Sequence, residues 1–268
     1  MTEEREPEAS PAATDRDPGV FLDELEAEGS EIGAREIEGL VVLLGHGVAR
    51  IRRRSAELLS LAATSRSQSL LERALDDRDA LRRWGAAFAL SQRGFFSARL
   101  GEILVEALAS EDVDRRWAAT RLICAVAPLH KGFCSRVVEL ASDGSFAARK
   151  MALYCLREMG EVGCEPFLGA LGDRRPEVRL AALAGLRRRG SGATRCVCAV
   201  LERFESDPHD GVRRAAVALL GELLAAGARS PEALEALRRA SQESDDPSVV
   251  RAALRGLGLH ARARGRRG

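Results

Sequence analysis

Apolar residues recur at helical spacing in short runs along most of the chain. Val178, Ala182 and Leu186, and again Val212, Ala216 and Leu220, stand at i, i+4 and i+8, a spacing that puts them on one face of a helix. Each such run follows another short amphipathic run, as in SLLERALDD, RLGEILVEALAS, CVCAVLERFESD and SPEALEALRRAS. Between the two lies a polar turn. Pro176 and Pro247 sit where a first helical residue belongs, and Asp79, Asp210 and Asp246 where helix caps belong. The pattern predicts helix, short turn, helix, repeated seven times in an all-α fold.

An arginine opens each second helix and sets the period. Aligned on Arg179, the equivalents are Arg52, Arg82, Arg115, Arg149, Arg213 and Arg251, at steps of 30 to 38 residues, the size of a stacked supersecondary unit. An aspartate stands six residues earlier in five copies, namely Asp76, Asp143, Asp173, Asp207 and Asp245, while His46 and Ala109 take its place in the others. A carboxylate in the turn faces the positive end of the following helix and can bond its free N–H groups and an arginine of its own or a neighbouring unit. The expectation is a structural ladder of Asp76, Asp143, Asp173, Asp207 and Asp245 with Arg82, Arg149, Arg179, Arg213 and Arg251, which fixes the register between repeats.

The segments DRRPEVRLAALAGL, DPHDGVRRAAVALLG and DDPSVVRAALRGLG resemble the HEAT-repeat family in its short bacterial form, also seen in phycobilin lyase subunits. Weaker copies extend the resemblance from about residue 35 to 259. It implies a right-handed α-α superhelix of about seven helix pairs, an armadillo-like solenoid whose second helices line a concave face. It says little about activity, because this fold hosts many functions.

Composition agrees with tightly packed helices. Only 4% of the 268 residues are aromatic against 46% apolar, so the apolar content is mostly Ala, Leu and Val. A net charge of +1 hides an asymmetry: residues 1–38 carry −10 and the remainder +11. The division expected is an acidic disordered leader over 1–19, an amphipathic capping helix over 20–34, the repeats over 35–259 and a basic mobile tail over 260–268. Val20, Phe21, Leu22 and Leu25 of the leader could cap the first repeat, or compete for the groove as tethered anchors near the tryptophans. No stretch is apolar enough to span a bilayer, since the longest, GLVVLLG, is far too short. The start does not read as a secretory or transit peptide. Cys124, Cys134, Cys155, Cys164, Cys196 and Cys198 then read as reduced thiols in a cytoplasmic protein.

Function is sought on the face turned away from the core. The residue after the reference arginine gives the column Arg53, Arg83, Arg116, Lys150, Leu180, Arg214, Ala252, expected as a basic stripe in the groove. Trp84 and Trp117, the only tryptophans, share one position beside it and are expected to neighbour each other. Arg53, Arg83, Trp84, Arg116, Trp117, Lys150 and Arg214 are therefore the candidate partner-binding residues. An acidic peptide or protein surface would suit them, and so would phosphates, which keeps a nucleic-acid-binding solenoid as an alternative. No catalytic constellation, metal site or cofactor is expected. None of the four histidines is followed by Glu, Cys196 and Cys198 lack a second pair at zinc spacing, and no phosphate loop, GxSxG or HExxH occurs. A phycobilin lyase-like enzyme subunit remains an alternative on the shared repeat alone. The reading reached is a non-enzymatic adaptor or scaffold that binds a protein in its concave groove.

Overall fold

The computed structural model describes residues 16–28, 32–127, 130–160 and 162–265. Among them there is no strand, and fifteen α-helices follow one another. After α1 (Pro18–Glu28) come seven pairs in chain order: α2 (Ala34–Leu43) and α3 (Ala49–Leu61); α4 (Ser65–Ala74) and α5 (Ala80–Gln92); α6 (Ala98–Ala107) and α7 (Val113–Val126); α8 (Lys131–Asp143) and α9 (Phe146–Met159); α10 (Glu165–Ala170) and α11 (Pro176–Arg188); α12 (Val197–Ser206) and α13 (Asp210–Ala226); α14 (Pro231–Glu243) and α15 (Pro247–Gly265). A 3₁₀ turn, Gly190–Cys196, precedes α12.

The chain divides into two compact units, residues 1–107 and 108–268. In the first, α3 packs on α1, α2 and α5, while α5 also receives α4 and α6. In the second, α7, α9, α11, α13 and α15 pack in sequence order, and α8, α10, α12 and α14 each lie against their own second helix. The buried apolar side chains are mostly Leu, Ala and Val, including the i, i+4, i+8 sets Val178, Ala182, Leu186 and Val212, Ala216, Leu220. Small residues let the helices approach closely. A methyl at Gly185 would run into the Phe167 ring, and Gly221 and Gly256 face each other backbone to backbone where α13 meets α15.

The ends differ from the sequence expectation. Residues 1–15 of the expected disordered leader lie outside the described residues. The expected capping helix over 20–34 corresponds to α1, which begins two residues earlier, at Pro18, and ends at Glu28. Phe21 and Leu22 are buried where α1 packs on α3, and Arg54 of α3 bonds Asp23 and Glu26 of α1 at 2.7 and 2.9 Å. The expected tail over 260–268 is helix as far as Gly265: the His260 ring lies 3.2 Å from the Leu224 carbonyl of α13, and no proline after Pro247 interrupts the helix.

Candidate partner-binding surface

The turn before six of the seven second helices, all but α9, is closed by one recurring geometry. A side chain in the turn accepts the N–H two residues on: His46 Nδ1 from Val48 at 3.1 Å, Asp77 from Asp79 at 2.8 Å, Ser110 from Asp112 at 3.2 Å, Asp173 from Arg175 at 2.8 Å, Asp207 from His209 at 3.0 Å and Ser244 from Asp246 at 3.3 Å. This ties the turn to itself just ahead of the helix. Six residues after that position, in every second helix but α15, an arginine folds back and donates Nη1 to turn carbonyls. Arg52 reaches His46 and Gly47, Arg83 reaches Asp77 and Arg78, and Arg116 reaches Ser110 and Glu111. Arg149 reaches Gly144, Arg179 reaches Asp173 and Arg174, and Arg213 reaches Asp207.

This geometry corrects the register in three copies. Arg83 replaces Arg82, Arg116 replaces Arg115, and Val250 stands where Arg251 was expected; Asp77, Ser110 and Ser244 replace Asp76, Ala109 and Asp245. The sequence carries doublets at the first two of these points, Asp76–Asp77, Arg82–Arg83 and Arg115–Arg116, and periodicity cannot choose within a doublet. Asp76 instead bonds Arg99 at 2.9 Å on the surface, Arg82 bonds Asp77 at 2.8 Å, and Asp143, Asp245 and Arg251 are exposed.

The ladder between repeats has two full rungs. Arg149 grips Asp173 of the next repeat at 2.7 and 3.1 Å, and Arg179 grips Asp207 at 2.7 and 2.6 Å. Both pairings are bidentate, the strong form of the contact. Arg179 and Asp207 are 5% and 1% exposed. Burial by itself would raise the Asp207 carboxyl, but the Arg179 guanidinium and the His209 N–H outweigh it and hold the group below the usual carboxylate range. Asp173 is lowered in the same way, against its own burial, by Arg149 and the Arg175 N–H. At the next step the ladder changes partners: Arg213 pairs with Asp210, and Arg214 with Asp246 at 3.3 Å.

A second device escaped the sequence reading. Arg93 donates to the Leu59 and Ala62 carbonyls at the end of α3, and Arg189 to the Leu156 carbonyl of α9 at 2.7 Å. Each satisfies a helix C-terminus in the preceding repeat. Burial pushes both guanidinium groups down from their ordinary value. The legible signal was the Arg-Gly step that ends α5 and α11, since Gly94 and Gly190 have φ of +75° and +53°.

Moving the register by one changes the outward column. Arg83 and Arg116 are half-buried turn locks, not members of an exposed stripe. The residues after the locks are Arg53, Trp84, Trp117, Lys150, Leu180 and Arg214, so the tryptophans occupy the column itself. In the first unit, Arg53 is exposed and bonds Glu57 at 2.8 Å, and half-buried Trp84 leans on Phe88 with ring centroids 6.3 Å apart. In the second unit, Trp117 is 45% exposed. Its ring lies 5.6 Å from that of Tyr154 at 33°, and the Arg157 guanidinium sits 5.1 Å from the Tyr154 centroid, within cation–π range. Because α7, α9, α11 and α13 pack in order, Trp117, Lys150, Leu180 and Arg214 form a row across neighbouring helices. Lys150, half-buried, and Arg121, exposed, have no ion-pair partner among the described residues.

Among the described residues, no group of three or more His, Cys, Asp or Glu side chains is placed to hold a metal ion, and no helix is long and apolar enough to cross a membrane. All six cysteines are free, and burial pushes the Cys196 thiol up to about 11.

A model of HEAT repeats matches residues 134–221 and 197–263. No curated protein matches the chain. Solved structures with a similar fold include an engineered protein, 19% identical over 85% of this chain and 97% of that one with a TM-score of 0.46. A designed armadillo repeat protein in complex with the peptide (KR)4 is 18% identical over 84% and 99%, with a TM-score of 0.45. Human deoxyhypusine hydroxylase in complex with glycerol is 16% identical over 88% and 99%, with a TM-score of 0.40. Residues 134–263 match the HEAT-repeat model, and the chain, with seven helix pairs in chain order, has a HEAT-like α-solenoid fold.

Proposed function

We propose that this chain is a non-enzymatic adaptor that binds a protein partner on the outward row of its second helices, centred in residues 108–268 on Trp117, Lys150, Leu180 and Arg214. The observation that carries this reading is Trp117. A large ring left 45% exposed, yet held against Tyr154, is preorganised to bury apolar surface at little cost in side-chain entropy. Lys150 and Arg121 beside it favour an acidic segment with an apolar residue, and set the orientation of binding more than its strength.

The test uses peptides selected from a random library on the full chain, followed by titration. With Trp84→Phe, Trp117 becomes the sole tryptophan and its fluorescence should change on binding. Trp117→Ala should weaken binding about tenfold or more, as a hot-spot ring does, and leave the melting temperature unchanged. Selected peptides without acidic residues, or equal affinity in the Trp117→Ala chain, would overturn the assignment. Binding lost to heparin and falling steeply with salt would favour nucleic acid instead.

A further inference from the structure

The outer face of α15 repeats, position by position, the α13 face that α15 itself covers. Ser244 takes the place of Asp207 in the turn geometry, which sets GVRRAAVALLG of α13 against SVVRAALRGLG of α15. On α13, Val217 and Gly221 are buried, and Gly221 meets Gly256 of α15 backbone to backbone. Their counterparts on α15, Leu254 and Gly258, are exposed, Leu254 by 55%, and a methyl built on Gly258 would meet no atom within 4 Å. The charged edge repeats as well. Arg214 of α13 bonds Asp246, just ahead of α15, at 3.3 Å, whereas its counterpart Arg251 is exposed with no ion-pair partner among the described residues.

Where α15 departs from α13, it gains positive charge and apolar surface. Arg255 and Arg262 stand where α13 has Ala218 and Ala225, and Leu259 stands where it has Glu222. All three are exposed, and no Asp or Glu occurs from residue 247 to 268. Helical spacing puts Arg251, Leu254, Arg255, Gly258 and Arg262 on one face. Three arginines without a carboxylate among them favour an anionic partner. The bare backbone at Gly258, beside Leu254, gives a lipid surface nothing to hold, but it admits a helix that brings a small residue, as Gly221 admits α15.

We propose that this face of α15 docks an acidic amphipathic α-helix of a partner protein, seated as α15 sits on α13. A carboxylate in the turn ahead of the partner helix meets Arg251, and a small residue ten positions later, the spacing of Asp246 and Gly256, lies on Gly258. Recognition is of the helix-in-groove kind. One helix on one helix buries less than a standard interface, so the contact is weak and salt-sensitive. The surface lies within residues 108–268 and does not depend on the Trp117 reading.

The probe is a synthetic peptide of residues 243–260 in which a hydrocarbon staple joining positions 251 and 255 replaces both arginines. Both positions are exposed on α15, so the staple holds the helix from the side away from the seam. It leaves Glu243, Asp245 and Asp246 with no Lys or Arg. Titrated by fluorescence anisotropy against the full chain, the probe should bind with a Kd of about 10 to 500 µM, the range for a weak contact, and several-fold more weakly in about 0.5 M salt. Arg251→Glu and Leu254→Glu in the chain should each weaken binding about tenfold, with circular dichroism matching the parent. Gly256→Leu in the probe should weaken it by a similar factor, because bulk at that place holds two helices apart. Trp117→Ala in the chain should leave binding unchanged, which keeps this site apart from the Trp117 row. A probe that does not bind the parent, or that binds the Arg251→Glu and Leu254→Glu chains equally well, would overturn the proposal. So would indifference to Gly256→Leu, loss of binding in the Trp117→Ala chain, or displacement of the probe by phosphatidylglycerol vesicles, which would assign the face to a membrane surface.

Discussion

At the scale of single residues, burial decides what each rung of the ladder is worth. Asp207 is sealed beneath Arg179, so Asp207→Ala strands a buried guanidinium and should cost about 3 to 5 kcal/mol. Asp143→Ala, at an exposed turn, should change stability by less than about 0.5 kcal/mol. Thermal melts of the two variants check the contrast, and equal midpoints would mean that the rung is decorative. Acid should act on the same groups. Asp173 and Asp207 are held low, and Asp246 is lowered to about 2, first by the Ser248 side chain. Their folded pKa values lie below the unfolded value of about 3.9, so their contribution is complete above that pH and is lost as pH falls through the folded values. The melting temperature should therefore be insensitive to these groups between pH 7 and 5 and fall between about pH 4 and 2, with a smaller fall in Asp207→Asn.

At the scale of helices and turns, the decisive residues are the lock arginine and the small residues in the seams. Arg116 ties down the turn before α7, so Arg116→Glu should destabilise by about 1 to 3 kcal/mol, the cost of losing charge-assisted bonds. Lys150→Glu, at the residue after the corresponding lock Arg149 in α9, should leave the melt nearly unchanged. Had Arg116 been an exposed stripe residue, as periodicity suggested, both would melt alike. Gly185 offers a second contrast. Helix propensity alone says that Gly→Ala stabilises by about 1 kcal/mol, but the Phe167 ring occupies the space a methyl needs. Gly185→Ala should lower the melting temperature by overpacking, whereas Gly258→Ala, with open space around it, should raise it.

At the scale of the whole molecule, α1 is packed as a cap would be. Its apolar side is spent on α3 and its acidic groups on Arg54, which leaves Phe21 and Leu22 no anchor to offer elsewhere. Deleting residues 1–30 should lower the melting temperature and leave affinity for a peptide bound at Trp117 unchanged. Tighter binding after deletion would restore the competing idea of a tethered groove occupant.

The amino-acid sequence determined the helical class, the number of pairs and the existence of an Asp/Arg device, because local periodicity and turn chemistry recur in every unit and each unit touches only its neighbours. It named Arg149, Asp173, Arg179 and Asp207 as ladder members but left their pairing open: that each arginine reaches forward to the aspartate of the next repeat is a fact of stacking. Only the tertiary structure decided between neighbours in Asp-Asp and Arg-Arg doublets, where a shift of one residue turns a side chain by about 100° and exchanges a buried lock for an exposed contact. That one-residue shift removed Arg83 and Arg116 from the outward row and put Trp84 and Trp117 into it. The Arg93 and Arg189 caps were hidden for a related reason, since a side chain that satisfies another helix's carbonyls leaves no periodic trace in its own.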